Sequence, residues 1–352
     1  MAATDQVVTA VGAHLVGGLK APDAETAMRT ASRILGRHLY AVTDGETGER
    51  NQWIVSQIGR LTAIDGIEMA GTHGTQESEN PDYAELPAMA VDASVTELPV
   101  RSLGYADAAE SSYATFRRLR VEGVVPDGVK FQVSVPTPYA TVVAWVREAD
   151  QERFFPVYAR AIVDEVTAIA GIVDAQDLVI QYDVAVEIGA LCGAFPAASE
   201  LGEKRFIGDA LVQALATPAG DFERGLHFCY GDYKHRHFAV PDDLSLCVEL
   251  ASKVGDRADF IHMPADRETG RDPRYYEPLR DLDVRRLALG VIDYEGDEQR
   301  TRELVEAAAT GGGTDFAVAT ECGMARIDER GPGRPSLEQL LELHARFAAP
   351  IR

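Results

Sequence analysis

Short apolar segments alternate with amphipathic helical patterns along almost the whole chain. Eight segments are typical of β-strands, at residues 10–19, 39–46, 130–138, 178–187, 225–231, 259–264, 287–293 and 316–322. Helical patterns follow most of them, at 23–36, 154–173, 205–216, 242–255, 298–312 and 336–348. Apolar strands that alternate with helices indicate a parallel sheet. Eight such units predict an α/β fold of the (β/α)8 TIM-barrel type.

A doubly wound open sheet is the main alternative, because it also alternates parallel strands with helices. However, the early strands are not followed by G-x-G-x-x-G or G-x-x-x-x-G-K-[ST], the loops that bind dinucleotides and nucleotides. No internal repeat or low-complexity linker divides the chain. We predict one barrel domain over 1–352, with an irregular insertion at about 70–110. Such an insertion is a candidate lid, or a contact in a homo-oligomer.

Charge and hydropathy limit the partners that this chain can bind. A formal net charge of −22 and a sequence pI of about 4.7 would repel phosphate backbones and anionic membranes. The N-terminal segment has no basic region ahead of its short apolar run, and no apolar run reaches the ~20 residues that span a bilayer. We therefore expect a cytoplasmic protein that acts on a small molecule, with no nucleic-acid or membrane partner.

Reactive side chains recur where the predicted strands end, which is where barrel enzymes place their active sites. The usual polarity of loops, and the use of Asp as a helix cap, account for Asp293 and Asp44. They do not account for two thiols and two imidazoles inside apolar segments. The residues at strand ends are Asp44, Glu46, Asp183, Glu187, His227, Cys229, His262, Asp293, Glu321 and Cys322.

His227 and Cys229 form an H-x-C pattern in the fifth predicted strand. Residues i and i+2 of a strand point to the same side, so the imidazole and the thiol share a face. A buried strand with a satisfied histidine and an inert cysteine explains this pair equally well. Cys322 favours a metal site, because a barrel brings distant strand ends together. One imidazole and two thiols suit zinc, and an open fourth position would make the site catalytic.

The remaining two cysteines, Cys192 and Cys247, fall in predicted loop or helix positions and are interpreted as structural. Four cysteines are sparse for a chain of this length, and disulfides are not expected in the cytoplasm.

Six motifs together resemble a known family. They are HLVGGL (14–19), TDGETGERNQW (43–53), KFQVSVPTP (130–138), IQYDVAVE (180–187), LHFCYGD (226–232) and ATECGMAR (319–326). In order and spacing, the chain resembles the catalytic C-terminal barrel of cobalamin-independent methionine synthases. That barrel belongs to the superfamily shared with uroporphyrinogen decarboxylase. The sequence matches a single barrel, and has no counterpart of the family's second, N-terminal barrel.

The resemblance implies a zinc-dependent methyl or alkyl transfer to a thiol such as homocysteine. By motif, the zinc ligands are His227, Cys229 and Cys322, while Glu46 and Asp183 hold the amino acid. It implies a folate or a corrinoid as the methyl donor. Short single-barrel relatives more often point to a corrinoid, so a corrinoid protein is a candidate partner.

One position departs from the family pattern. The family's fourth zinc ligand is a glutamate on the strand after the H-x-C strand, and Pro264 stands there in this chain. His262 lies two residues earlier on the same strand face and is the first candidate to replace that ligand, or else a catalytic residue. Glu321 and Glu187 are further candidates for the fourth ligand.

Two polar segments are candidate substrate contacts. Arg50 and Trp53 follow Glu46 on one loop and either line a pocket or begin the next helix. The basic tract Lys234-His235-Arg236-His237 is either a solvated loop or a clamp for a carboxylate or phosphate. We predict substrate-binding roles for Glu46, Arg50, Trp53, Asp183, Glu187 and Arg236.

Two different functions remain open. A metal-free, or differently metallated, lyase or decarboxylase could use Asp and His side chains for proton transfer, with Arg50 or Arg236 holding a small carboxylate substrate. The missing glutamate ligand motivates this reaction. A non-catalytic binding protein on the same barrel is disfavoured, because all five residues of the predicted zinc and amino-acid sites are present.

Overall fold

The computed structural model describes residues 10–73, 85–232, 236–327, 331 and 333–351. Its strands are β1 (Ala10–Val11), β2 (Ala41–Thr43), β3 (Ile67–His73), β4 (Leu86–Val91), β5 (Lys130–Pro136), β6 (Leu178–Val184), β7 (Glu223–Phe228), β8 (Phe260–Pro264), β9 (Leu287–Ile292), β10 (Ala317–Thr320) and β11 (Ala348–Ala349). Its helices are α1 (Ala24–Leu35), α2 (Val55–Leu61), α3 (Tyr105–Val121), α4 (Pro138–Trp145), α5 (Glu148–Ile172), α6 (Val186–Leu191), α7 (Lys204–Ala216), α8 (Ser245–Val254), α9 (Glu298–Gly312) and α10 (Leu337–Phe347).

A curled sheet of seven parallel strands forms the centre of the fold, in the order β10-β9-β8-β7-β6-β5-β2. All six pairings are parallel. The strands β6 and β9 are buried along their whole length, since helices cover the sheet. This burial explains why these strands appear in the sequence as continuous apolar runs. The predicted alternation of parallel strands and helices is confirmed.

The first predicted strand, 10–19, is not a regular strand in the structure. Only Ala10–Val11 forms β1, which pairs with β11. Beyond it, Ala13 makes isolated parallel bridges to Leu39, just before β2, and to Val318 in β10. Positive φ angles at Gly12 and Gly17, +83° and +154°, break the extended conformation that a ladder needs. The two edges of the sheet are thus linked by an irregular segment.

The region predicted to be irregular, 70–110, is more regular than expected where it is described. Strands β3 and β4 pair as an antiparallel hairpin, and α3 begins at Tyr105. The expected loop between the two strands, 74–84, lies outside the described residues. Strand β4 packs on α4, and the N–H of Arg147, which lies between α4 and α5, donates to the carbonyl of Met89 over 3.0 Å. Leu86 of this strand reaches the pocket beside the candidate metal site.

In the described residues, no helix combines the length and the apolar composition that a membrane span requires.

Candidate metal and substrate site

Three polar side chains form a row across the centre of the sheet. Asp183 of β6 is the register partner of His227 of β7, and His227 is the partner of His262 of β8. Partners on adjacent parallel strands project to the same face. All three residues are buried. The other residues of the candidate site lie next to this row.

The thiol–imidazole cluster (His227, Cys229 and Cys322) shares His227 with this row. One ligand atom from each residue lies within 4.8 Å of the others. Cys229 follows the end of β7 and Cys322 follows the end of β10, so the two strand ends converge. Their sulfurs are 3.7 Å apart. Two sulfurs that are each about 2.3 Å from a tetrahedral zinc ion would lie about 3.8 Å apart, so the donor set fits zinc.

The surroundings of the Cys229 thiol favour its protonated form. The hydrogen bond from Cys229 to Cys322, together with burial, holds the pKa of the Cys229 thiol well above its usual range. The Gly231 N–H donates to the Cys229 sulfur over 3.3 Å and opposes this shift only in part. A divalent cation would reverse the shift, because a coordinating thiol is deprotonated. The cluster is therefore suited to a metal ion.

His262 lies behind His227 and does not line the pocket in the described structure. Its Nδ1 is 2.7 Å from the Nδ1 of His227, and its Nε2 is 3.1 Å from the carbonyl of Thr320. Both of its ring nitrogens are therefore engaged. The structure places His262 against the candidate ligand His227 and outside the lining of the described pocket.

Pro264 and the two remaining candidates for the fourth ligand, Glu187 and Glu321, have contacts of their own. Pro264 ends β8, and its carbonyl accepts a hydrogen bond from Tyr275 over 3.2 Å. Glu187 accepts a hydrogen bond from Thr137, and burial raises the pKa of Glu187 to about 7. Glu321 lies 3.3 Å from His237. Among the residues that the structure describes, the cluster has three donors.

A pocket of about 180 Å³ opens beside the cluster. It contains all three cluster residues together with Glu46, Trp53 and Asp183, which are six of the predicted site residues. Its walls are mostly apolar and aromatic, as is usual for a small-molecule site. The apolar residues include Trp53, Ile54, Val55, Leu86, Ala144, Trp145, Val186, Phe195 and Phe238.

Glu46 enters the pocket from the turn after β2. Its backbone has a φ of +47°, and its carboxylate lies against Gly17, where an added Cβ would come within 2.9 Å of Oε1. Glycine is therefore required at position 17 for this carboxylate to fit. Burial raises the pKa of Glu46 to about 7, although Arg50 lowers it in part.

Asp183 faces Glu46 across the pocket, and uncharged groups hold it. The Trp53 indole N–H donates to one carboxylate oxygen over 3.1 Å, and the Gln181 amide donates to the other over 2.9 Å. Burial holds the pKa of Asp183 well above its usual range, and the neighbouring Glu46 adds to this effect. Two neighbouring carboxyl groups with raised pKa values would stabilise a cationic ammonium group bound between them.

Arg50 does not reach the pocket in the described structure. Its guanidinium donates to Asp44 over 2.6 Å, and the same oxygen of Asp44 accepts from Ser112 over 2.7 Å. The other oxygen of Asp44 accepts from the N–H of Glu46 over 2.9 Å. Arg50 and Asp44 thus fix the turn that carries Glu46.

Arg326 is a pocket residue for which the sequence predicts no role. Its guanidinium donates to the carbonyl of Asn51 over 2.9 Å and to Asp232 over 3.1 Å. It thereby joins the loop after β2 to the loop after β7. The only sequence signal for this residue is its place at the end of the ATECGMAR motif.

The predicted basic tract contributes differently from the expected clamp. Lys234 and His235 lie outside the described residues. Arg236 is exposed and is not among the residues that line the described pocket. His237 lies between Asp266, at 3.6 Å, and Glu321, at 3.3 Å. Burial lowers the pKa of His237, but these carboxylates outweigh it and raise the pKa to about 9.

Asp293 and the remaining cysteines lie apart from the cluster. Asp293 accepts a hydrogen bond from Arg267 over 2.7 Å and others from the N–H groups of its own loop. All four cysteines are free thiols. Cys192 is exposed, and Cys247 is buried in α8.

Comparisons with known proteins find matches only among solved structures, since no family model and no curated protein match. A candidate vitamin-B12-independent methionine synthase from Listeria monocytogenes matches with a TM-score of 0.56 at 15% identity, over 97% of this chain and 99% of that one. A methyltransferase from Methanosarcina mazei matches with a TM-score of 0.53 at 14% identity, over 96% of this chain and 92% of that one. At these identities the matches show a shared fold.

Proposed function

We propose that this protein is a zinc-dependent transferase that moves a methyl or small alkyl group to or from a thiol. One observation carries the proposal: the thiol–imidazole cluster opens into the same pocket as Glu46 and Asp183. The fold shared with a candidate methionine synthase and a methyltransferase supports methyl transfer. In this proposal the segment 10–19 completes the sheet as the eighth member of a barrel.

The residues of the pocket divide into two roles. His227, Cys229 and Cys322 would hold zinc, which would lower the pKa of a bound substrate thiol so that its sulfur is nucleophilic at neutral pH. Glu46 and Asp183 would bind the ammonium group of an amino-acid thiol such as homocysteine. An ammonium between them would lower the raised pKa values of both carboxyl groups.

The proposed transfer is a nucleophilic substitution at the methyl carbon. The thiol gives up its proton to solvent, and the sulfur supplies the electron pair of the new S–C bond. The bond between the methyl carbon and its donor breaks, and the donor keeps that electron pair. A methylated folate or a methylated corrinoid would serve as the donor.

Metal content tests this proposal directly. Protein purified without added metal should contain about one zinc per chain by plasma mass spectrometry, and Cys229→Ser should lose both the metal and turnover with a thiol. Cys192→Ser and Cys247→Ser are the matched controls, because one thiol is exposed, the other is buried, and neither belongs to the cluster. Retention of zinc and activity by Cys229→Ser would refute the proposal.

A second function is favoured by Arg326. This guanidinium lines the pocket beside carboxyl groups whose pKa values are raised, an arrangement that suits a lyase or decarboxylase acting on a small carboxylate. Turnover that persists in protein stripped of zinc would support this reaction. Strict dependence on zinc would count against it.

A further inference from the structure

The structure assigns His262 a positioning role: it holds the His227 imidazole in the tautomer whose Nε2 is free to bind a metal ion. The inference rests on the metal site proposed above and adds a residue to it. It starts from two contacts of His262. Its Nε2 lies 3.1 Å from the carbonyl oxygen of Thr320, and its Nδ1 lies 2.7 Å from the Nδ1 of His227.

The tautomers follow from which atoms can donate. A carbonyl oxygen only accepts, so the Nε2 of His262 carries a proton and donates to Thr320. In neutral His262 the Nδ1 is then an acceptor. The Nδ1 of His227 must therefore carry the proton between the two rings. The Nε2 of His227 is left with a lone pair, which is the form that binds a metal.

The surroundings of His262 favour the neutral ring. The side chain is completely buried, and the ring of His14 stacks on it with centroids 5.6 Å apart. The groups that act on it are the imidazoles of His227 and His14 and the backbone carbonyls of Thr320 and Phe228, with no carboxylate among them. An imidazolium at His262 could instead donate to Phe228 or to His227. Donation to His227 would force His227 into the tautomer that cannot bind a metal through Nε2.

This arrangement differs from the usual surroundings of a metal-bound histidine, which donates to a carboxylate, a carbonyl or water. A neutral imidazole adds no negative charge beside two thiolates and a divalent ion. The arrangement also couples two candidate ligands. Thr320, the acceptor for His262, lies two residues before Cys322, and its hydroxyl donates to the Cys322 carbonyl over 2.7 Å. The end of β10 therefore fixes both Cys322 and the tautomer of His227.

Long-range proton–nitrogen NMR of the full chain, labelled with ¹⁵N-histidine and freed of metal, tests the tautomers without reference to activity. The expected spectrum has His227 protonated on Nδ1 and His262 protonated on Nε2, with signals assigned from single His→Gln variants. A proton on the Nε2 of His227, or two protons on His262, would overturn the inference. The proposed function would fail separately, if the wild-type chain bound no zinc.

Metal affinity provides the second test. His262→Leu removes the acceptor and should weaken zinc binding by about 10- to 100-fold in competition with a chelator. His262→Gln offers one acceptor and one donor on a planar group and should keep most of the affinity. His344→Leu is the matched control, because His344 is also fully buried but hydrogen-bonds to Leu340 in α10. His262→Leu with wild-type zinc affinity would contradict the positioning role.

Discussion

Carboxyl groups at the two ends of the central sheet have pKa values shifted in opposite directions. At the amino end, Glu223 begins β7 and is paired with Lys130 at 3.0 Å and with Arg286, while Tyr40 donates to it. Burial raises the pKa of Glu223, but these partners outweigh it and bring the pKa below its usual value. At the carboxyl end, uncharged groups hold Asp183, and burial raises the pKa values of Asp183 and Glu46, although Arg50 lowers that of Glu46 in part.

The contrast separates stability from function. A carboxylate whose charge is matched contributes to folding, whereas a carboxyl group whose pKa stays raised in a pocket is suited to a ligand that supplies a cation. The amino end is thus a structural network. At the carboxyl end, burial of the carboxyl groups has an electrostatic cost that a cationic substrate would relieve in the proposed function. The same division is common in barrel enzymes, which place catalysis at the carboxyl ends of their strands.

The largest expected effect is the loss of activity on substitution of Asp183, at the carboxyl end of β6. Asp183→Asn removes a charge that would pair with a substrate ammonium. It should lower kcat/KM for an amino-acid thiol by about 10²- to 10³-fold, equal to about 3–4 kcal/mol of transition-state stabilisation. Steady-state kinetics with homocysteine would measure this loss.

Asp177→Asn is the control for this experiment, because Asp177 precedes β6 and binds Arg120 at 2.8 Å and Tyr113 at 3.0 Å. It should lower stability and leave kcat/KM near the wild-type value. If both variants lost kcat/KM equally, the proposed difference between a functional carboxyl end and a structural amino end of β6 would be wrong.

Glu46→Gln should sharpen the comparison through pH. The folded-state pKa of Glu46 is raised from 4.5 to about 7. Its favourable contribution is therefore complete below about pH 4.5 and is lost as the pH rises through 7. In metal-free, ligand-free protein above pH 8, Glu46→Gln should be more stable than wild type by at most about 3 kcal/mol. Urea unfolding at pH 5 and pH 8 measures this gain, and a gain that did not change with pH would argue against it.

Glu223→Gln should have the smallest of the three effects, and the opposite sign. It leaves Arg286 and Lys130 without their shared carboxylate, so the free energy of unfolding should fall by about 1–3 kcal/mol at pH 7. Zinc content should not change, because the network lies at the far end of the sheet. Denaturant unfolding and metal analysis of the same preparation would test both statements. Loss of zinc without loss of stability would contradict the structural role proposed for the amino end of the sheet.

The sequence predicts the elements that carry this comparison better than it predicts their contacts. Seven strands follow from continuous apolar runs, and the convergence of Cys229 and Cys322 follows from their positions at strand ends. The irregular path at 10–19 does not follow from the sequence. The run is apolar like a buried strand, and the sequence does not show that Gly12 and Gly17 adopt positive φ angles. A single motif cannot show which of Arg50 and Arg326 reaches the pocket, since the paths of two distant loops decide it. The sequence places His262 on its strand, but only the register shows that it meets His227.

The distance along the chain between Cys229 and Cys322 has a consequence for biosynthesis. The two sulfurs that touch across the pocket are separated by 93 residues. At a synthesis rate of about 5–20 residues per second, His227 and Cys229 leave the ribosome roughly 5–20 s before Cys322. A metal ion captured in that interval would meet only two of its three donors. Loading of the proposed metal site would therefore belong to the end of translation, when β10 joins the edge of the sheet.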